Sequence, residues 1–235
     1  MKELLFLICL FAANTVQTVT GFAGSLLSVP AGMLLVGDTN AKVIVNIFIL
    51  LSSLAVAVKD RKDINTKELF RICLFMLTGM TVGALISGIV NGRLLKTAYG
   101  VLIVMISLAM IFIKKRRKLP ESVMILSLVC AGIIHRLFIS GGALLVIYAS
   151  VKMQDKKEFR STVSAVWVVL NSVIAVEFYF QSAYCVYNLK LLSASAAVLA
   201  ASVQLGKLLF GKISKEMFFK AAYPLLILSG IAAIV

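Results

Sequence analysis

His135, the sole histidine, and its neighbour Arg136 open the stretch HRLFISGGALLV at 135–146, where almost every other residue is apolar. Two further cations, Lys42 and Arg160, stand at the starts of long apolar runs. Glycine-rich breaks recur in two places: Gly21 and Gly24 with Ser25, and Ser140 with Gly141 and Gly142. These residue types suit the capture of a small tetrahedral or pyramidal oxyanion. A helix restarting at either break aims free N–H groups and the positive end of its dipole at the gap. Such an end attracts an anion. Glycine lets a ligand approach the backbone closely, and the serine hydroxyls add donors. The planar guanidinium of Arg160 matches an oxyanion, and a histidine changes charge near neutral pH.

Each residue also has a plainer reading. Snorkelling to headgroups accounts for Arg136, with His135 at the interface. Against that, a charge within membrane depth costs at least ~2.5–3.5 kcal/mol and usually has a functional partner. Lys42 reads equally well as an interfacial anchor. Ser161, Ser164 and Asn171 recur near helical spacing around Trp167, and Asn46 belongs to a similar polar stripe. Such stripes more often join helices than touch ligand. Gln17 lies with Asn14, Thr18 and Thr20 on a segment too polar to face lipid. Pro30 reads as a kink and Glu177 as an outer-end residue facing water, a proton-coupling role being the weaker alternative.

The elements that position these residues are membrane helices. Of 235 residues, 61% are hydrophobic and 14% charged, well below the quarter usual for a soluble domain. Apolar runs of spanning length occur at 40–58, 69–90, 94–113, 161–181, 186–206 and 217–235. Residues 4–20 with 21–36, and 121–137 with 139–151, read as glycine-broken hairpins. The formal charge of +14 does not point to nucleic acid, because the basic residues sit in short clusters between apolar runs. Cys9, Cys73, Cys130 and Cys185 lie in apolar segments without a CxxC pair, so they read as core residues rather than metal ligands. No metal, cofactor or catalytic residue is expected.

The layout repeats. A shift of 118 residues lays Gly24 on Gly142, Leu26 on Leu144, Ala31 on Ala149, Lys42 on Arg160 and Gln17 on His135. Residues 1–118 and 119–235 thus form two membrane repeats of one integrated domain. The repeat also makes the signal-peptide-like start, MKELLFLICLFAANT, structural, since its counterpart is internal. Of the 24 lysines and arginines, five lie in 59–71, five in 114–118, four in 152–160 and four in 207–220. Placing all four segments in the cytoplasm gives halves of opposite orientation, each a hairpin plus three spans, with both termini outside. The expected fold is therefore an all-α polytopic membrane protein of two inverted-topology repeats, a secondary-transporter layout.

TGFAGSLLSVP at 20–30, GIIHRLFISGGALLVIYAS at 132–150 and FRSTVSAVW at 159–167 resemble the motifs of the TauE/SafE, or sulfite exporter, family. The resemblance covers essentially the full length. It implies a multi-pass plasma-membrane carrier for sulfite or organosulfonates such as sulfoacetate, with the glycine-rich breaks and Arg160 carried over as site positions. Arg136 stands where that family often has glycine, and Ala23 replaces a usual glycine. The expected partners are a small sulfur-containing anion and the lipid bilayer, with protons as a candidate coupling ion and a homodimer as a candidate assembly. Three other classes compete: an anion channel, a non-transporting membrane scaffold, and an intramembrane serine hydrolase built on Ser25 and His135.

Overall fold

A helix that ends inside a bilayer must find partners for its last carbonyls and for the first N–H groups of its successor. The computed structural model shows this happening twice, 118 residues apart. It describes residues 1–87, 89, 94, 97–98, 100–101, 104–105, 108, 120–210 and 212. The expected span 217–235, most of the span 94–113, and the basic cluster 114–118 lie outside the described residues.

Eight α-helices account for nearly all of the rest. They are α1 (Lys2–Thr20), α2 (Gly24–Val36), α3 (Asp38–Lys59), α4 (Thr66–Ser87), α5 (Glu121–Phe138), α6 (Gly142–Lys152), α7 (Lys156–Phe180) and α8 (Val186–Phe210). Six are long and apolar enough to cross a membrane; α2 and α6 are shorter. Leu54, Leu74, Val176 and Leu189 are exposed on their outer faces, as suits contact with lipid. The chain is an all-helical polytopic membrane protein.

The expected spans agree with these helices to within a few residues, except at the start of α7. That helix begins at Lys156 rather than 161, because Asp155 caps it: one side-chain oxygen accepts from the backbone N–H of Lys157 and of Glu158, both at 2.9 Å. These bonds, chiefly the one from Glu158, hold the Asp155 carboxyl below its ordinary range. Arg160 accordingly lies inside α7 rather than ahead of it.

The 118-residue offset is exact at three boundaries: Thr20 with Phe138, Gly24 with Gly142, and Asp38 with Lys156. The backbone repeats it too. Gly21 (φ 85°) and Ile139 (φ 55°) both terminate their helices in the left-handed region. Each donates its N–H at 2.7 Å, Gly21 to the Gln17 carbonyl and Ile139 to the His135 carbonyl. Glycine takes this conformation freely. A β-branched residue there carries strain of order 1–3 kcal/mol. Ile139 is 1% exposed, and full burial of its side chain returns a comparable ~1.5–3 kcal/mol.

Packing follows the same duplication. α1 lies parallel to α8: Asn14 Nδ2 donates to Ser202 Oγ at 2.7 Å, and Gly206 abuts Thr18 one turn further on. α5 lies parallel to α4 in the matching way, from the Arg71–Glu121 ion pair at one end to Gly83 against Ile133 at the other. The equivalent helices α3 and α7 cross the centre antiparallel. Asn46 bonds Asn171 near one end of the pair, and Asp60 pairs with Arg160 at the other.

The basic segments gather at one end of the molecule. Ser161 Oγ donates to the Asp63 carbonyl at 2.8 Å, and Asn65 Nδ2 donates to Glu158 at 2.7 Å. Lys156 Nζ donates to the Phe210 carbonyl at 2.6 Å. Lys152 lies 3.9 Å from Glu121, the first residue of α5.

Between α4 and α5 the two backbones touch. A Cβ on Gly79 would lie 2.1 Å from the Val129 carbonyl oxygen, and one on Gly132 would lie 2.1 Å from that of Met76. Small residues allow this approach in membranes. Gly132→Ala should therefore destabilise the protein by about 1–3 kcal/mol, seen as a lowered melting midpoint of the detergent-solubilised protein. An unchanged midpoint would show that α4 and α5 are further apart.

Candidate functional site

The two breaks meet. A Cβ on Gly142, at the start of α6, would lie 2.5 Å from the carbonyl oxygen of Phe22, inside the first break. Gly21, beside Phe22, packs against the backbone of Arg160 at the other side. Trp167, two turns along α7 from Arg160, donates its Nε1–H to the Gly21 carbonyl at 2.6 Å. The Trp167 ring also stacks on His135, with centroids 4.9 Å apart. One tryptophan thus touches both hairpins.

The first break is closed by its own side chains. Gln17 Oε1 accepts the Gly24 N–H at 2.9 Å, while its Nε2 donates to the Gly21 carbonyl at 3.1 Å and to Ser53 Oγ at 3.4 Å. The amide therefore occupies the donor that the start of α2 was expected to offer an anion. Ser25 is buried in the first turn of α2.

The second break is not closed in this way. No side chain caps the start of α6. His135, the counterpart of Gln17, is 1% exposed, and Ser140 is 2% exposed. Neither His135 ring nitrogen and no donor or acceptor at Ser140 Oγ has a hydrogen-bond partner. The Ile139 backbone lies near enough to act on the ring electrostatically, but not in hydrogen-bonding geometry. Ser25 and His135 are accordingly not bonded as a nucleophile and its base. Gly141 sits against the Ala131 carbonyl and the His135 Cβ, so its lack of a side chain serves packing as well as access.

The four expected cations each have a carboxylate beside them or a face to stack on. Arg160 is 3% exposed. Its Nη2 lies 3.4 Å from Asp60, its guanidinium stacks on Phe210 at 3.8 Å, and its Nε has no partner. Arg136 pairs with Glu177, which also accepts from Gln181, so Glu177 holds a cation rather than facing water alone. Lys42 lies 3.6 Å from Asp38 and 5.5 Å from the Phe138 ring. Lys42 thus stands beside the second break as its counterpart Arg160 stands beside the first.

Asn46 Nδ2 donates to Asn171 Oδ1 at 2.9 Å, and Asn171 donates onward to the Trp167 carbonyl at 2.8 Å. This polar stripe joins α3 to α7, and the Asn46 Oδ1 remains unpartnered. A cavity of about 10 Å³ lies alongside, lined by Leu10, Asn14, Gly24, Ser28, Val45, Phe48 and Ile49. It has room for one water and none for an oxyanion, so the molecule is closed here.

Residues singled out by spacing are therefore largely brought together, but their partners were not foreseen. Asp60 sits in the run KDRK at 59–62 and reads as loop charge. Glu177 lies 41 residues from Arg136, and Phe210 ends a helix. Nothing in local spacing marks any of the three.

Residues 5–233 match the family model described as Sulfite exporter TauE/SafE. No curated protein and no solved structure matches the chain.

Gln17→Ala removes the acceptor of the Gly24 N–H in a buried setting. It should lower stability by about 1–3 kcal/mol, measured as a drop in the thermal midpoint in detergent. A midpoint equal to that of the parent protein would mean that the start of α2 does not depend on this amide.

Proposed function

The chain belongs to the sulfite exporter TauE/SafE family, and from that membership we propose that it carries small sulfur-containing oxyanions out across the plasma membrane. Candidate cargoes are sulfite and small organosulfonates such as sulfoacetate. The mechanism is alternating access: two halves, 1–118 and 119–235, rock about a shared site.

The observation that carries this reading is the contact of the two breaks at Phe22 and Gly142. Gly21, Gly24, Ser25 and Gln17 line one side of the proposed site, and His135, Ser140, Gly141 and Gly142 the other. Arg160, Arg136, Lys42, Asn46 and Asn171 form its surroundings. Inverted orientation is supported by the equivalent spans α3 and α7, whose contacts run antiparallel. Equivalent spans of two halves with the same orientation would run parallel. The clustering of basic segments 59–71 and 152–160 at one end supports a cytoplasmic position for that end, with the N-terminus outside.

The carrier reading separates from a channel by kinetics. In liposomes holding the purified protein and labelled sulfite, efflux should saturate with sulfite concentration. Unlabelled sulfite added to the opposite side should accelerate it. Flux that rises linearly and ignores the opposite side would make the protein a channel, and no flux of any sulfur oxyanion would overturn the proposal.

A further inference from the structure

Building on the transport reading, we infer that the anion is held at the second break alone and that the site selects a singly charged anion. The chemical class is a monoanionic sulfonate, or hydrogen sulfite, rather than a dianion.

The first step is the asymmetry of the two breaks. At the first, Gln17 already takes the Gly24 N–H at 2.9 Å, and the Gly21 carbonyl receives both Gln17 Nε2 and Trp167 Nε1. Nothing there is left to offer. At the second, the same position in the repeat holds His135, whose two ring nitrogens are buried without partners, as is Ser140 Oγ. Both side chains flank the uncapped start of α6. Buried polar groups are satisfied as a rule, so a pair of orphans at a helix start marks a place for acceptor oxygens. A hydroxyl, one imidazole N–H and the α6 N–H groups supply the donors. The Trp167 ring stacked on His135 supplies an apolar wall suited to a small organic group.

The second step is charge. Arg136 is paired with Glu177, Arg160 lies 3.4 Å from Asp60, and Lys42 lies 3.6 Å from Asp38. Each pair is formally neutral. What remains to attract an anion is the helix end, equivalent to roughly half a positive charge, together with neutral donors. The cost of taking an ion out of water grows with the square of its charge. A site with this little positive charge offsets that cost for one negative charge and not for two. Sulfoacetate, a dianion, therefore ranks below methanesulfonate and hydrogen sulfite.

The test uses the purified full-length protein in detergent at constant ionic strength. Affinities for methanesulfonate, sulfate and sulfoacetate are read by calorimetry. Methanesulfonate should bind at least about tenfold more tightly than either dianion. Ser140→Ala should weaken it about tenfold, as should His135→Gln if the first variant does not fold. Sulfate or sulfoacetate binding as tightly as methanesulfonate would overturn the charge selection while leaving transport intact. Unaltered methanesulfonate affinity in a folded Ser140→Ala or His135→Gln protein would overturn the location. Binding of none of these anions would overturn this inference; failure of sulfite flux in liposomes is what would overturn the transport reading itself.

Discussion

Backbone polar groups that come to an end inside a bilayer have no water to turn to, and this constraint shapes the centre of the molecule. Two helices stop there, at Thr20 and Phe138, and two restart, at Gly24 and Gly142. The first gap is satisfied from within the protein. Gln17 reaches across it, and Trp167 arrives from α7 to take the Gly21 carbonyl. The second gap is braced by packing, with Gly142 against the Phe22 carbonyl and Gly141 against that of Ala131. Each hairpin therefore leans on the other, and α7 touches both. The proposed cargo takes the one place where buried donors lack a partner.

Pairing of the cations gives the closed state its character. Asp60 and Arg160, joined by Asn65 with Glu158 and Ser161 with Asp63, hold the α3–α4 connection against the start of α7. At the same end, Tyr148 Oη donates to Glu68 at 2.6 Å and ties α6 to α4. Arg136 and Glu177 join α5 to the far part of α7. Under alternating access, a rocking motion that opens one end parts one of these groups while the other holds. Exposed ion pairs contribute little individually, so exchanging one set for the other requires no large driving energy.

Much of the helical plan was legible because its signals are local. Apolar runs of spanning length and the glycines at 21, 24, 141 and 142 mark the helices and their gaps, and the 118-residue shift matches them in register. The ends of α7 and α8 were less legible. The Asp155 cap extends α7 by five residues at its start, into a segment whose lysines read as loop. At the site, spacing selected His135, Ser140, Gln17 and Arg160 but was silent on what each would meet. Arg136 finds Glu177 on another helix, Arg160 finds Asp60 and Phe210, and Trp167 reaches Gly21 across 146 residues of chain. Such pairs depend on which helices become neighbours, and periodicity along one helix carries no record of that. The unlike filling of like positions, glutamine in one half and histidine in the other, was visible in the sequence. Its meaning required the hydrogen bonds.

The central claim is that the two breaks enclose one site open to each side of the membrane in turn. It is tested most directly with a single cysteine at Ser140, in a chain whose Cys9, Cys73, Cys130 and Cys185 are replaced. A membrane-impermeant thiol reagent is applied from the inside and, separately, from the outside of oriented vesicles. The account predicts labelling from both sides, slowed in each case by methanesulfonate. Labelling from one side only, or rates indifferent to the anion, would contradict it.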